Sequence, residues 1–312
     1  FSLDKGGEIG RISEIFAKSN VLENQGRWSG PLHFTLSDVT LGKDDQLKVK
    51  LAGVSFVLNL QDLDFSSYAA KARTGPMKNQ EFTSGLDPWG YFLTLAGGVR
   101  LQTDITDLSI QDPVQHPFHL AKAQFDIDLI ISDRQILEVT LNTHYKGLSR
   151  TGEAKAEDMF PSQMNLNLSL DNLPIVAAVD GVTAAVELAL LGRKNTDREV
   201  LERLRQDFSA AGTVLRLKSV KVNARKFDLD LTLQVFAEMA ANSGFIGDGV
   251  LRIHGLKKIM TKLGLQDLPP VAELIKNEKS NVGSECTAFD IAVRPDGMLT
   301  VNSCPVLSLA SI

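Results

Sequence analysis

The chain has 312 residues, of which 43% are hydrophobic and 23% are charged, and its net charge is −5. This is the composition of a globular protein, with room for one large β-rich domain or two ordinary ones, so an ordered chain is expected. A pI of about 5.6 leaves no basic excess for binding DNA or RNA, and no nucleic-acid partner is predicted.

The N-terminal residues give two expectations. Residues 8–17 carry Ile9, Ile12, Ile15 and Phe16 at helical spacing, which predicts a short amphipathic helix. The chain also starts at a phenylalanine rather than a methionine, which indicates a trimmed chain or a mature protein that has lost a leader or an anchor. Membrane association through such a segment is therefore expected.

From residue 32 onward, apolar residues alternate with polar ones and predict strands. The alternation breaks between Leu36 and Val39, and again between Ile105 and Leu108, where apolar residues are three positions apart. Side chains on a strand alternate with period two, so each slip of three predicts a β-bulge. A polar turn at 42–46 separates the first bulged strand from its return strand.

A second signature, LxLxxL with Ile in place of one Leu in the last copy, occurs at 58–63, 168–173 and 251–256. Stretches with helical periodicity follow at 66–73, 175–191 and 256–263. The repetition indicates a duplicated unit; the alternative is a chance pattern in a Leu-rich β protein.

The polar segment 147–161 divides the chain into two β-rich halves, 1–153 and 154–312. They form either a pseudo-repeat or one continuous domain. The C-terminal half adds helices at 175–191 and 196–210, whose apolar stripes predict a helical hairpin packed on the sheet. The first of these is the most apolar stretch of the chain, but it carries two carboxylates and does not predict a membrane span.

The stretch 213–235 predicts a hairpin. Its first strand slips by three residues, which predicts a bulge near Lys218 and Ser219. A turn at 223–226 leads to the partner strand and places Lys221 opposite Asp228, so that the polar sides match in charge.

Two cysteines, Cys286 and Cys304, flank a predicted hairpin whose turn is Arg294-Pro-Asp-Gly297. Counted outward from that turn, Cys286 faces about Val306, and a bulge near Pro305 would bring the cysteines into register. A disulfide and an oxidising compartment are therefore predicted. The alternative is a pair of unrelated thiols.

Catalytic and metal-binding motifs are absent from the sequence. His116 and His119 flank a proline and are interpreted as loop residues, so no metal or cofactor is predicted. Asp126 and Asp128 are typical of the solvated side of a strand. The aromatic segment 87–92 is either a ligand lip or a packed strand start. The sequence therefore predicts a protein that is not an enzyme.

These patterns predict an α+β fold rich in β-structure, with long curved antiparallel sheets, bulges, and helices on the concave face. Such a sheet has one apolar face, which is either a filled core or a groove for an apolar ligand. Its candidate ligand-binding residues are Leu168, Leu170, Leu215, Leu217, Leu229, Leu231 and Leu233.

The runs LSLDNLP at 168–174 and GDGVLRIHGLKKIMTKL at 247–263 resemble those of uncharacterised alphaproteobacterial periplasmic proteins of unknown function. The chain is more loosely similar to AsmA-like and YdgA-like envelope proteins. The resemblance implies a place in the Gram-negative periplasm and a β-rich fold. For the AsmA-like proteins it also implies a groove for lipid chains.

Three functions follow as hypotheses, of which the third is a hydrolase whose site would be a polar cluster converging in a pocket. The first is a non-catalytic periplasmic protein that binds or transports a lipid or another hydrophobic small molecule. The second is an envelope scaffold that pairs its sheet edges with a protein partner and holds no ligand.

Overall fold

The structure is a computed structural model that describes residues 10–42, 47–67, 95–111, 117–132, 136–150, 161–179, 181, 198–255 and 286–308. In this part of the chain, 14 strands form one sheet, and helix α1 (Arg198–Ala211) precedes β9. The strands are β1 (Gly10–Ser19), β2 (Leu22–Asn24), β3 (Arg27–Leu41), β4 (Lys48–Leu63), β5 (Gly98–Gln111), β6 (Phe118–Ile131), β7 (Ile136–Arg150), β8 (Pro161–Pro174), β9 (Val214–Ala224), β10 (Asp228–Ala237), β11 (Phe245–His254), β12 (Cys286–Val293), β13 (Met298–Val301) and β14 (Cys304–Ser308).

The sheet is an open antiparallel meander. From β3 to β14 each strand lies beside the next one in sequence, while β1 and the short β2 both pair with β3. Short connections such as those between β6 and β7 or β9 and β10 are typical of antiparallel neighbours, although the connections at 64–97, 175–213 and 255–285 are long. The predicted β-rich antiparallel architecture is confirmed.

On six neighbouring strands the alternation of apolar and polar residues is interrupted at the same height in the sheet. We call this line across the strands the slip line. On β1 and β3 to β7, apolar residues three positions apart flank this line, yet the register between neighbouring strands is the same on both sides of it. The residues on the line are Ser13, Asp38, Ala52, Asp107, Ala121 and Gly147. The bulges predicted on β3 and β5 at these slips are wrong: the whole group of strands shares the slip, so neither strand gains a residue over its neighbours.

The slip line also explains why the helix predicted at the N-terminus is wrong from residue 10 onward. These residues form β1, in which Ile12 lies opposite Val39 and Ile15 lies opposite Leu36. The slip line passes between the two isoleucines and separates them by three residues. This spacing fits a helix as well as an interrupted strand, and pairing with β3 decides between them.

The bulge predicted on β9 is confirmed. Leu217 lies opposite Leu233, whereas Val220 lies opposite Leu231, so β9 holds one residue more than β10 between these pairs. The extra residue belongs to the Lys218 and Ser219 step. The register between β9 and β8 shifts at the same two residues, so the bulge belongs to β9 alone.

The predicted register of the β9–β10 hairpin is wrong by two residues. Lys221 lies opposite Asp230, and Asp228 lies opposite Asn223. The Asn223 Nδ2 donates a hydrogen bond of 2.9 Å to Asp228 Oδ1 beside the turn. An amide and carboxylate pair therefore stands where the sequence predicted an ion pair.

Two copies of the LxLxxL signature are strands that end in a bulge. Asp62 on β4 and Asn172 on β8 have φ of 48° and 56°, and each lies where its strand has one residue more than a neighbour. The extra residue returns Leu63 and Leu173 to the apolar side, where both are buried. The last residue of the third copy, Leu256, lies outside the described residues.

Helical residues are described in four places, one of which is the single residue Leu95. Helix α1 confirms the second predicted helix of the C-terminal half, and residues 65–67 and 175–179 are helical at the start of two other predicted helices. The rest of those two helices, and so the helical hairpin, lies outside the described residues. The same is true of the predicted helix at 256–263 and of the aromatic segment 87–92.

Two hydrophobic clusters bury the end of the sheet where the LxLxxL bulges lie. The first consists of Leu60, Leu63, Ala96 and Val99. The second consists of Leu137, Leu173 and Ile175, against which Phe208 of α1 packs. Leu129 and Ile131 contact both clusters, so they form one continuous core at this end of the sheet.

The boundary predicted between residues 153 and 154 lies outside the described residues. The strands on its two sides, β7 and β8, pair from Ile136 and Pro174 at one end to Lys146 and Gln163 at the other. The sheet thus continues from one half of the chain to the other.

The C-terminal hairpin is confirmed, with Val293 opposite Leu299. A further turn at residues 302–303 then places Cys304 on β14, opposite Val301 of β13, while Cys286 lies on β12. Because β13 lies between β12 and β14, the Cα atoms of the two cysteines are at least two strand spacings, about 9.6 Å, apart. The Cα atoms of a disulfide are only ~4.4–6.8 Å apart. A bond would require β14 to leave this register, and the disulfide stays a prediction from the sequence.

Candidate functional site

The two faces of the sheet differ in chemistry. One side, which we call the apolar face, carries Leu, Val, Ile and Phe in register from strand to strand. Its middle band is the aromatic row, which crosses β3 to β8 and consists of Phe34, Phe56, Thr103, Phe125, Thr143 and Leu166. It lies between the slip line and the buried end of the sheet.

Two phenylalanines of the aromatic row remain accessible to solvent. Phe34 is 38% exposed and Phe125 is 39% exposed, whereas Leu60 and Leu63 near the bulged end are buried. The rings of Phe34 and Phe56 are tilted by 37° with centroids 6.3 Å apart, within the range of favourable aromatic pairs. Large apolar side chains in register are thus left partly open to water.

A shallow cavity of about 510 Å³ opens beside the Phe34 and Phe56 pair. Its lining comes from β1, β3 and β4 and consists of Ala17, Lys18, Ser19, Leu32, His33, Phe34, Phe56 and Leu58. The size is within the range of small-molecule sites, and the lining is mainly apolar. Such a surface can bind a hydrocarbon chain and offers few groups for a charged ligand.

The seven predicted leucines share the apolar face. They lie on three adjacent strands: Leu168 and Leu170 on β8, Leu215 and Leu217 on β9, and Leu229, Leu231 and Leu233 on β10. Direct register partners include Leu168 with Leu217 and Leu217 with Leu233. All seven are half-buried, and none of them lines the apolar cavity.

The alternation therefore placed these leucines on the apolar side of the sheet, but the cavity was missed. Leu32 and Phe34 on β3 line the cavity, together with Phe56 and Leu58 on β4. Their apposition depends on the register between β3 and β4, which pairs Phe34 with Phe56. The sequence feature that could have revealed the cavity is a phenylalanine on the apolar side of each of two neighbouring predicted strands.

The opposite side, the polar face, contains ion pairs. Arg100 donates to both carboxylate oxygens of Asp126, over 2.9 Å from Nε and 2.5 Å from Nη2. This bond raises the pKa of Arg100. Asp126 is therefore bound to a guanidinium, whereas Asp128 has a buried Oδ1 without a hydrogen-bond partner. The predicted solvated carboxylates thus differ from each other.

The described histidines are scattered. His144 Nδ1 is hydrogen-bonded to Asn165 Oδ1, and His119 Nε2 lies 3.8 Å from Asp107 Oδ1. His116 lies outside the described residues. Among those that are described, no group of three His, Cys, Asp or Glu side chains is placed to hold a metal ion. Burial raises the pKa of Tyr145, whose hydroxyl lies 3.5 Å from the carbonyl oxygen of Pro161.

Comparisons with protein-family models, with curated proteins and with solved structures find no match to this chain. In the part of the chain that the structure describes, no helix has the length and apolar character needed to cross a membrane.

Proposed function

We propose that this protein is a non-catalytic binder or carrier of a lipid or another elongated hydrophobic molecule, which lies along the apolar face. The observation that supports this most is the accessible aromatic row next to the apolar cavity, with Phe34 shared by both. A ligand chain that starts in the cavity can continue across the row toward Phe125 and the predicted leucines.

The energetics favour a hydrocarbon chain. Covering the exposed third of Phe34 or Phe125 is worth on the order of 1–2 kcal/mol for each ring, and each buried methylene adds about 0.8 kcal/mol. The rigid sheet holds the two phenylalanines in place before binding, so little ordering cost opposes this gain. Such a site favours ligands with long hydrocarbon chains.

We place this activity in the periplasm of a Gram-negative cell, on the strength of the resemblance to envelope proteins. An anchor or leader outside this sequence would bring the protein to a membrane. A carrier of lipid would then receive its ligand from that membrane. Location is tested by fractionating cells that express the full-length protein.

Two finer features of the fold belong to the same proposal. One is that helices lie across the concave side of the sheet and border the groove; the contact of Phe208 with the core cluster supports this. The other is an internal duplication, supported by the matching bulges at Asp62 on β4 and Asn172 on β8.

The decisive experiment is native mass spectrometry of the gently purified protein, followed by titration with a fluorescent fatty acid such as cis-parinaric acid. We expect a hydrophobic adduct on the purified protein and saturable binding of the probe. Phe34→Ser should weaken binding by roughly 5- to 30-fold, the equivalent of the 1–2 kcal/mol above.

The chain offers a matched control in Phe16. This residue is 49% exposed and lies on β1 opposite Thr35, so it points to the polar face. Phe16→Ser removes the same ring from the same end of the sheet but from the other side, and should leave binding unchanged. Equal effects of the two substitutions, or a protein without adduct or probe binding, would refute the proposal.

The second candidate is an envelope scaffold without a ligand. It is favoured by the topology, because β1 and β14 lie at the two ends of the described sheet. A strand at a sheet end can pair with an extended segment of another protein. This function predicts co-purifying envelope proteins, no lipid adduct, and no effect of Phe34→Ser on their capture.

A further inference from the structure

The polar face carries a regular array of hydrogen-bonding side chains on β5 to β9, which we call the polar grid. It consists of two register rows, each with one residue from every strand. The first row is Asp104, Gln124, His144, Asn165 and Lys221, and the second is Gln102, Asp126, Asn142, Asn167 and Ser219.

The polar grid lines a groove. All ten of its residues border one open cavity of about 530 Å³, together with four residues of the aromatic row: Thr103, Phe125, Thr143 and Leu166. Five strands at the usual spacing make each row about 19 Å long, and the two rows are separated by about 6.7 Å along the strands. The groove therefore suits an extended polar ligand that crosses the strands.

Part of the polar grid is already fixed by internal bonds. Gln124 Nε2 donates to Asp104 Oδ1 over 2.5 Å, and His144 is hydrogen-bonded to Asn165. In the second row, Asn167 Oδ1 is buried and has no hydrogen-bond partner. A buried acceptor without a partner is costly, so Asn167 would gain from any rearrangement that brings a hydrogen-bond donor to it.

The charges of the polar grid nearly cancel. Arg100 neutralises Asp126, while Asp104 and Lys221 at opposite ends of the first row have opposite signs. Most of the remaining groups are amides, each of which both donates and accepts hydrogen bonds, as a sugar hydroxyl does. This chemistry disfavours phosphates and other strongly charged ligands.

Aromatic ligands are disfavoured as well. Between the two rows each strand contributes one residue, among them Phe125 and Leu166, and these belong to the aromatic row on the other side of the sheet. Phe125 borders the same cavity as a member of the aromatic row, but the ten residues of the polar grid include no phenylalanine, tyrosine or tryptophan on which a base or another aromatic ring could stack.

From this geometry we propose that the polar grid is a binding site for an uncharged oligosaccharide, with Asn142 and Asn167 at its centre. The site is on the opposite side of the sheet from the apolar cavity. It does not depend on the proposed lipid binding, and either site can be abolished without the other.

The test uses the whole chain and three neutral probes: maltohexaose, cellohexaose and the hexamer of N-acetylglucosamine. Saturation-transfer NMR identifies any probe that binds, and isothermal titration calorimetry gives its Kd. Binding of at least one probe is expected. The double variant Asn142→Ala and Asn167→Ala should weaken it by about tenfold or more, since each residue loses hydrogen bonds to the ligand.

The control is Asn59→Ala, which removes an asparagine from the same face outside the polar grid, where Asn59 lies opposite Arg100. It should bind as the native chain does. Gln102→Ala, at one end of the second row, serves as a single variant that keeps the centre intact and should weaken binding by about threefold.

Three results would overturn the proposal. The first is that none of the probes binds at millimolar concentration. The second is that Asn59→Ala weakens binding as much as the double variant does. The third is that a heparin octasaccharide binds while the neutral probes do not, with an affinity that falls as salt rises, because this would identify an anion site instead.

Discussion

Asp38 on β3 and Asp107 on β5 occupy equivalent places on the slip line, with left-handed φ values of 48° and 49° and with Ala52 of β4 between them. On β7 the equivalent place is taken by Gly147, whose φ is 70°. Aspartate and glycine are among the residues that tolerate this conformation best. Alternate strands thus carry the unusual backbone, and the strands between them carry small residues.

The first prediction concerns Asp107. Asp107→Val should reduce the free energy of unfolding by about 1–2 kcal/mol, because a β-branched residue is strained at this φ. Asp107→Gly should match or exceed the native stability. Urea unfolding measures both.

The matched control for the charge of Asp107 is Asp107→Asn. It removes the exposed contact of 3.8 Å with His119 but keeps a residue that tolerates the conformation. Its stability should be within about 0.5 kcal/mol of the native chain. If Asp107→Asn were as unstable as Asp107→Val, the charge rather than the backbone would be the cause.

The second prediction concerns Gly147 and its neighbour Ala121. A Cβ at Gly147 would lie 2.5 Å from the Cβ of Ala121, in addition to the strain of a positive φ. Gly147→Ala should therefore destabilise by more than the ~1–2 kcal/mol of backbone strain alone. Introducing Ala121→Gly as well should restore the part of the stability that is lost to the contact between the two Cβ atoms. A double-mutant cycle by urea unfolding measures this coupling. Additive effects would show that the two residues do not touch.

The same slip line shows how far the sequence determines the fold. The slip of three on β9 correctly predicted the bulge at Lys218 and Ser219, whereas the same slip on β3 and β5 predicted bulges that are absent, because the neighbouring strands share it. Ile12 and Ile15 predicted a helix, because a slip shared by neighbours shows only once those neighbours are known. The β-rich antiparallel character was predicted from the alternation within each strand, which is a local property, whereas the order of the strands in the sheet was not predicted.

The candidate sites were harder to predict, for a related reason. Leu215 and Leu231 were placed on the correct face because period two is a local property. The pairing of Phe34 with Phe56 and the two rows of the polar grid depend on register across many strands. One residue of error in any turn moves every later row to the other face. The β9–β10 register, wrong by two residues, kept the faces correct but misplaced the partner of Lys221.

A third prediction follows from the end of β4. Asp64 accepts hydrogen bonds from Ser67 Oγ over 2.6 Å, from Ser67 N over 3.0 Å, and from Ser66 Oγ over 2.9 Å. These bonds, with the Ser67 hydroxyl the largest cause, lower the pKa of Asp64 from 3.8 to about 2. Because the folded state prefers the ionised form, this contribution to stability is complete above about pH 3.8 and is lost as pH falls through 2.

Ser67→Ala should therefore raise the pKa of Asp64 toward its ordinary value, and Ser66→Ala should raise it less. The titration is followed through the side-chain carboxyl carbon by NMR. Because Ser67 N still donates in Ser67→Ala, the pKa should stay below 3.8. A larger rise in Ser66→Ala would contradict the order of the two hydroxyls.

The last prediction tests the core on which the apolar face depends. Ile175 is 2% exposed and packs with Leu137 and Leu173, whereas its neighbour Val176 is 63% exposed. Ile175→Ala should lower the free energy of unfolding by about 2–5 kcal/mol, since it leaves a cavity in the cluster. Val176→Ala should change it by no more than about 0.5 kcal/mol. Thermal unfolding compares the two, and a small loss in Ile175→Ala would mean that this end of the sheet is not the stabilising core. The accessible aromatic row would then lack the fixed support that keeps its phenylalanines in register.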